Sequence, residues 1–80
     1  MQPKEIKALI ESSMSTQLVE TEAEGSHVKI IVVSKDFEGL NTLKRQQKIY
    51  ALLQEAISSG AIHAVHMKTF TPDQWATQSA

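Results

Sequence analysis

The sequence predicts an α+β fold in which helices pack on one face of a three-stranded mixed sheet. Three observations carry this. A Gly25-Ser26 pair separates two stretches that alternate apolar and polar residues, a run at helical spacing follows over residues 42–58, and another alternating stretch over 62–70 comes after that run. A hairpin supplies antiparallel neighbours, whereas a strand that returns after a helix adds a parallel one. The right-handed crossover rule limits where that last strand is placed.

The elements follow in order. Ile6, Leu9, Ile10 and Met14 fall on one side of a helix over about residues 3–14, with Lys4, Glu5, Lys7 and Glu11 mostly on the other. Pro3 suits the first turn, where its missing N–H costs nothing. Ser12, Ser13, Ser15 and Thr16 then break the pattern.

Residues 18–34 read as a hairpin closed by a type II′ turn with glycine at its first central position. That turn sets Glu24 opposite His27, Glu22 opposite Lys29 and Thr21 opposite Ile30. The register makes an opposite-charge pair of Glu22 and Lys29. It also gathers Val19, Ala23, Val28, Ile30 and Val32 on one face. The second face carries Glu20, Glu22, Glu24, His27 and Lys29, with Leu18, Ile31 and Val33 at its far end.

Residues 36–41 form a connection with room for one helical turn. Asn41 is the expected cap of a helix over 42–58, whose buried stripe is Ile49, Leu52, Leu53, Ala56 and Ile57, extended by Leu43. Gly60 is its expected stop. In the third strand, 62–70, His63, Val65 and Met67 alternate with Ala64, His66 and Lys68. Thr71-Pro72-Asp73-Gln74 then offers a threonine cap, proline at the first helical position and glutamine three residues after the cap. Trp75 follows on a short helix expected to fray from about Thr77.

Eighty residues, with Gly and Pro at only five positions, are read as one domain over 1–80 with a modest core. A chain this short has little room for a large enclosed active site. No cysteine is present, which excludes disulfides, thiolate zinc sites and cysteine nucleophiles. A secreted domain of this size usually needs such cross-links, and the N-terminal residues lead into no long apolar stretch, so the expected location is cytoplasmic. The most apolar run, residues 30–33, is far too short to span a bilayer. Eight Lys and Arg against nine Asp and Glu give no general attraction to nucleic acid or to an anionic membrane. No nucleophile with a paired base, phosphate loop or HExxH zinc motif is present, so no enzymatic activity is expected.

Taken together, Val32-Val33-Ser34, Phe37-Glu38-Gly39, Arg45, Ile49-Tyr50, Ile62-His63-Ala64 and the run from Lys68 through Trp75 resemble the BolA family. Each piece is common; their ordered set is specific and spans most of the chain. The short length and the Gly25-Ser26-His27 turn are most similar to the acid-stress members of that family. The resemblance implies an αββααβα domain related to the type II KH fold. It also implies pairing with a monothiol glutaredoxin around a [2Fe-2S] cluster shared with the partner and glutathione, or else DNA-binding regulation. Two departures weigh against nucleic acid. Arg45-Gln46-Gln47 stands where the family often has Arg-His-Arg, and residues 38–41 lack the Gly-x-x-Gly loop by which KH domains clamp a nucleic-acid backbone.

From the residues alone, His63 is a strand histidine hydrogen-bonded to a neighbour; the resemblance gives it a metal-ligand role. His27, beside the turn, is either a turn histidine near Glu24 or a second ligand. His66 alternates away from His63, which argues against a shared site. Neutral imidazole ligates iron, and histidine replaces cysteine on one iron of some [2Fe-2S] centres. A cluster needs about four ligands, so a chain without thiols holds none alone. Phe37, Tyr50 and Trp75 read as packing residues. Lys44, Arg45 and Lys48 read as a solvated helix face, or as a contact for an acidic partner, glutathione or phosphate. The isolated chain is expected to be a monomer or a weak dimer.

Overall fold

A computed structural model of the protein describes residues 2–79. Helix α1 spans Pro3–Ser13, strands β1 and β2 span Leu18–Glu24 and His27–Val33, helix α2 spans Thr42–Ser58, strand β3 spans Ala64–Phe70 and helix α3 spans Pro72–Ser79. The short helix expected between β2 and α2 is a single 3₁₀ turn over Lys35–Phe37. The sheet order is β1-β2-β3, antiparallel on one side of β2 and parallel on the other.

Local chemistry sets the ends of these elements. Asn41 Oδ1 accepts the Lys44 N–H at 2.9 Å, capping α2. At the other end Gly60, with φ 82, donates to the Ile57 carbonyl at 3.2 Å while Ala61 donates to Ala56 at 3.0 Å. This pair of bonds is a Schellman motif, and its left-handed residue favours glycine. At α3, Gln74 N–H donates to Thr71 Oγ1 at 3.2 Å, and Thr71 N–H donates to Gln74 Oε1 at 3.0 Å. This reciprocal box starts a helix that continues to Ser79. Thr77 Oγ1 also donates back to the Asp73 carbonyl at 3.0 Å.

The hairpin register is the expected one: Glu24 pairs with His27, Glu22 with Lys29 and Thr21 with Ile30. Gly25 has φ 63, and Ser26 does not share the positive sign, as a type II′ turn requires. Val19, Val28, Ile30 and Val32 meet Ile6, Ile10, Met14, Ile49 and Leu53 in one core, together with Phe37 and Ile62. Burying each of these side chains contributes about 1.5–3 kcal/mol before chain entropy is subtracted.

Several expectations change. Ala23 is exposed at the hairpin tip, while Thr21 on the same face donates its hydroxyl to the Pro3 carbonyl at 2.8 Å. Leu43 and Ile57 are exposed rather than part of the buried stripe of α2, and Tyr50 is exposed rather than packed. β3 begins at Ala64, because Ala61 and Ile62 are still engaged by the Ala56 carbonyl at the end of α2.

Ser34 is fully buried where four segments meet. Its hydroxyl donates to the Ser15 carbonyl and accepts from Asp36 N–H at 3.0 Å. Its own N–H donates to the Phe70 carbonyl at 3.0 Å, and Ser15 N–H donates to Asp36 Oδ2 at 3.0 Å. The chain after α1, the 3₁₀ turn and the end of β3 are thereby fixed to the end of β2. Replacing Gly60 by alanine should cost about 1–2 kcal/mol, because the residue would be forced into an unfavourable backbone region although its Cβ would clash with nothing. In urea unfolding the midpoint should fall with the slope unchanged.

Candidate functional site

The parallel register of β2 with β3 decides which histidines share a surface. His27 pairs with Ala64 and Lys29 with His66, so the sheet face away from the core carries the rows Glu24–His27–Ala64 and Glu22–Lys29–His66. Glu20–Ile31–Lys68 and Leu18–Val33–Phe70 follow. Trp75 packs against Phe70 of the last row, with ring centroids 5.3 Å apart. The open rows are acidic along β1 and basic along β3. Glu22, Glu24, His27, Lys29 and His66 line a surface hollow of about 630 Å³.

His63 lies just outside this face. It precedes β3, is exposed, and donates its N–H to the Ser26 carbonyl at 2.9 Å. Ala64 N–H approaches the same carbonyl at 3.4 Å. Because Ser26 immediately precedes His27, this bond brings the backbones of the two candidate ligands to one end of the sheet. Position 60 carries no side chain, and a Cβ there would lie 3.9 Å from His63 Nε2. The His63 ring therefore sits beside the C-terminus of α2. His66 shares a face with His27 rather than with His63, an arrangement that follows from strand pairing and is invisible to alternation within β3.

The donor set suits partial ligation. Cysteine is absent from the whole sequence. Among the described residues no three His, Cys, Asp or Glu side chains are grouped to hold a metal, and no buried side-chain polar atom lacks a hydrogen-bond partner. Two exposed imidazoles at one end of a sheet can complete a coordination shell begun elsewhere. They cannot make one alone.

The basic cluster on α2 divides in two. Arg45 is half-buried and turned toward the fold. Its Nε donates to the Leu40 carbonyl at 2.9 Å and its Nη1 to Gln74 Oε1 at 2.8 Å, with a longer 3.5 Å contact to the Thr69 carbonyl. The guanidinium carbon lies 5.8 Å from the Phe37 ring centre, a cation–π distance. Lys44 and Lys48 are exposed. One residue along a helix turns the side chain by about 100°, which separates Arg45 from Lys44.

Fold and surface together define a small α+β protein with an exposed, charged sheet face and no thiol of its own. The chain belongs to the BolA family: the profile described as BolA-like protein matches residues 1–74. It is 38% identical to the acid stress protein IbaG of Escherichia coli strain K12 over 76 residues, covering 95% of this chain and 90% of that protein. It is 41% identical over 54 residues to the DNA-binding transcriptional regulator BolA of Haemophilus influenzae, covering 68% of this chain and 52% of that one. The solution structure of BolA1 from Mus musculus matches with a TM-score of 0.86 at 27% identity, over 98% of this chain and 71% of that chain.

Arg45→Lys should lower the unfolding free energy by about 1.5–3 kcal/mol, because an ammonium lacks the planar fork that reaches separate acceptors. Lys44→Ala and Lys48→Ala should each stay within about 0.5 kcal/mol of the parent. Urea titration of the three variants distinguishes a structural arginine from a functional one.

Proposed function

We propose that this chain is a cytoplasmic, non-catalytic interaction module that binds a monothiol glutaredoxin and contributes His63 and His27 to a shared [2Fe-2S] cluster, in the context of acid stress and iron homeostasis. The observation that carries this reading is the Ser26 carbonyl, which holds the backbone of His63 beside that of His27 at an exposed end of the sheet. Similarity to an acid stress protein supports the physiological setting. The complete lack of cysteine supports the division of labour: the partner and glutathione bring thiolate, and this chain brings imidazole. No helix among the described residues is long and apolar enough to cross a membrane.

When bound, the cluster supplies one-electron chemistry or an iron–sulfur unit for transfer. The chain's own part is to present lone pairs. A ring nitrogen ligates only when it is not protonated, so acid competes with iron for the same atom. Cluster sharing should therefore weaken in more acidic solution.

Titration with a cluster-loaded glutaredoxin should change the visible absorption and circular dichroism of the cluster. His63→Ala should abolish most of that change, His27→Ala should reduce it, and His66→Ala should leave it intact. Unchanged spectra with His63→Ala refute the ligand assignment.

The second reading, a nucleic-acid-binding regulator, is favoured by the similarity to the Haemophilus regulator. With Arg45 engaged inside the fold, Lys44 and Lys48 remain on that helix to meet phosphate. This reading requires affinity that falls steeply with salt and is lost when Lys44 and Lys48 are reversed in charge. Absence of binding at low salt eliminates it.

A further inference from the structure

The three open rows of the outer sheet face carry their charges in a lateral order. β1 contributes Glu20, Glu22 and Glu24, β3 contributes His66 and Lys68, and β2 between them carries His27, Lys29 and Ile31. All of these side chains are exposed except Ile31, which is half-buried and is the largest apolar group of the three rows. The helices that build the core lie behind the opposite face.

A face that is acidic along one side and basic along the other is complementary to itself in one orientation. Two copies can meet face to face about a two-fold axis that runs either across the strands or along them. An axis across the strands lays β1 over β1, with glutamates against glutamates. An axis along β2 keeps each row level and exchanges its two sides, so β1 of one copy lies over β3 of the other. We propose that the chain pairs with a second copy of itself in this second way, outer sheet face to outer sheet face. The inference concerns the chain without its partner and does not depend on the cluster reading.

In that pairing Glu20 of each copy faces Lys68 of the other and Glu22 faces His66, and the symmetry makes each contact twice. An imidazole N–H donates to a carboxylate whether the ring is neutral or charged. Ile31 lies on the axis against its own counterpart, with a Glu20–Lys68 pair on either side. Lys29 also lies at the axis, between the Glu22 of its own copy on one side and that of the second copy on the other. That row therefore holds two lysines and two glutamates.

The contact is small. Three strands about 4.8 Å apart and three rows about 6.8 Å apart make a projected patch of roughly 300 Å² per copy. A standard interface buries about 800 Å² per partner, so the pair is weak and forms at roughly 0.1–1 mM protein. Charge rather than area selects its geometry, and its strength depends on salt.

Sedimentation equilibrium and NMR dilution over that concentration range test the proposal. At low salt the parent protein should dimerise reversibly, with concentration-dependent amide shifts on residues 20–24, 27–31 and 64–68. Raising the ionic strength from about 0.01 M to about 1 M shortens the screening length from about 30 Å to about 3 Å, and the dimer should weaken several-fold. Glu20→Lys and Lys68→Glu, both at exposed sites, should each weaken association several-fold at low salt. The double variant should restore it, because the exchanged charges again face opposite signs across the axis. A parent that stays monomeric at about 1 mM in low salt overturns the proposal. So do shifts confined to the helical side of the molecule, a dimer indifferent to salt, or a double variant no stronger than either single one.

Discussion

The Arg45 guanidinium is the contact on which the rest of the molecule depends. From the first turns of α2 it reaches the carbonyl that ends the 3₁₀ connection, the outward carbonyl of Thr69 on β3 and the Gln74 side chain of α3, with Phe37 beneath it. One planar group with several fixed donors joins segments far apart in sequence, which an ammonium on a flexible stem does not do. Gln74 is doubly used, since its Oε1 also accepts the Thr71 N–H that starts α3. The position of the last helix is therefore coupled to the second one through a single amide oxygen.

A second junction lies nearby. Ser34 gathers the segment after α1, the 3₁₀ turn and the end of β3, so the end of the sheet remote from the hairpin is held by polar bonds as well as by packing. The hairpin end is different. Its outer-face side chains are exposed, acidic on β1 and carrying His27 and Lys29 on β2, and the Ser26 carbonyl ties it to the start of β3 where the β2–β3 pairing begins. The molecule thus has one end held by buried polar bonds and another whose outer side chains are open to solvent. The family-resembling residues Ser34, Phe37, Arg45, Thr71, Gln74 and Trp75 belong to the first. His63 belongs to the second.

Most of the fold was legible because it is written in local chemistry. The Gly25-Ser26 turn fixes the hairpin register, Asn41 and Thr71 begin helices with their own side-chain oxygens, and Gly60 supplies the one backbone geometry that ends α2. Alternation likewise put Val65 and Met67 on one face of the third strand, and both pack against the core. Tertiary placement was not legible. Nothing in the apolar spacing of α2 says that its buried arc stops short of Leu43 and Ile57. The adjacency of Lys44 and Arg45 does not reveal that one faces solvent and the other the fold. The histidines divide similarly: His63 and His27 were selected from the resemblance and from the turn, while the common face of His27 and His66 depends on a parallel register that no single segment encodes.

The Ser26 carbonyl has a consequence for how proteins of this architecture can vary. It terminates the hairpin and also receives the incoming third strand, through two successive amides. Extra residues inserted on the Glu24 side of the glycine would leave that acceptor where it stands. Insertions between Ser26 and His27 would pull the third strand out of step with the second. Length polymorphism in this loop is therefore confined to one flank.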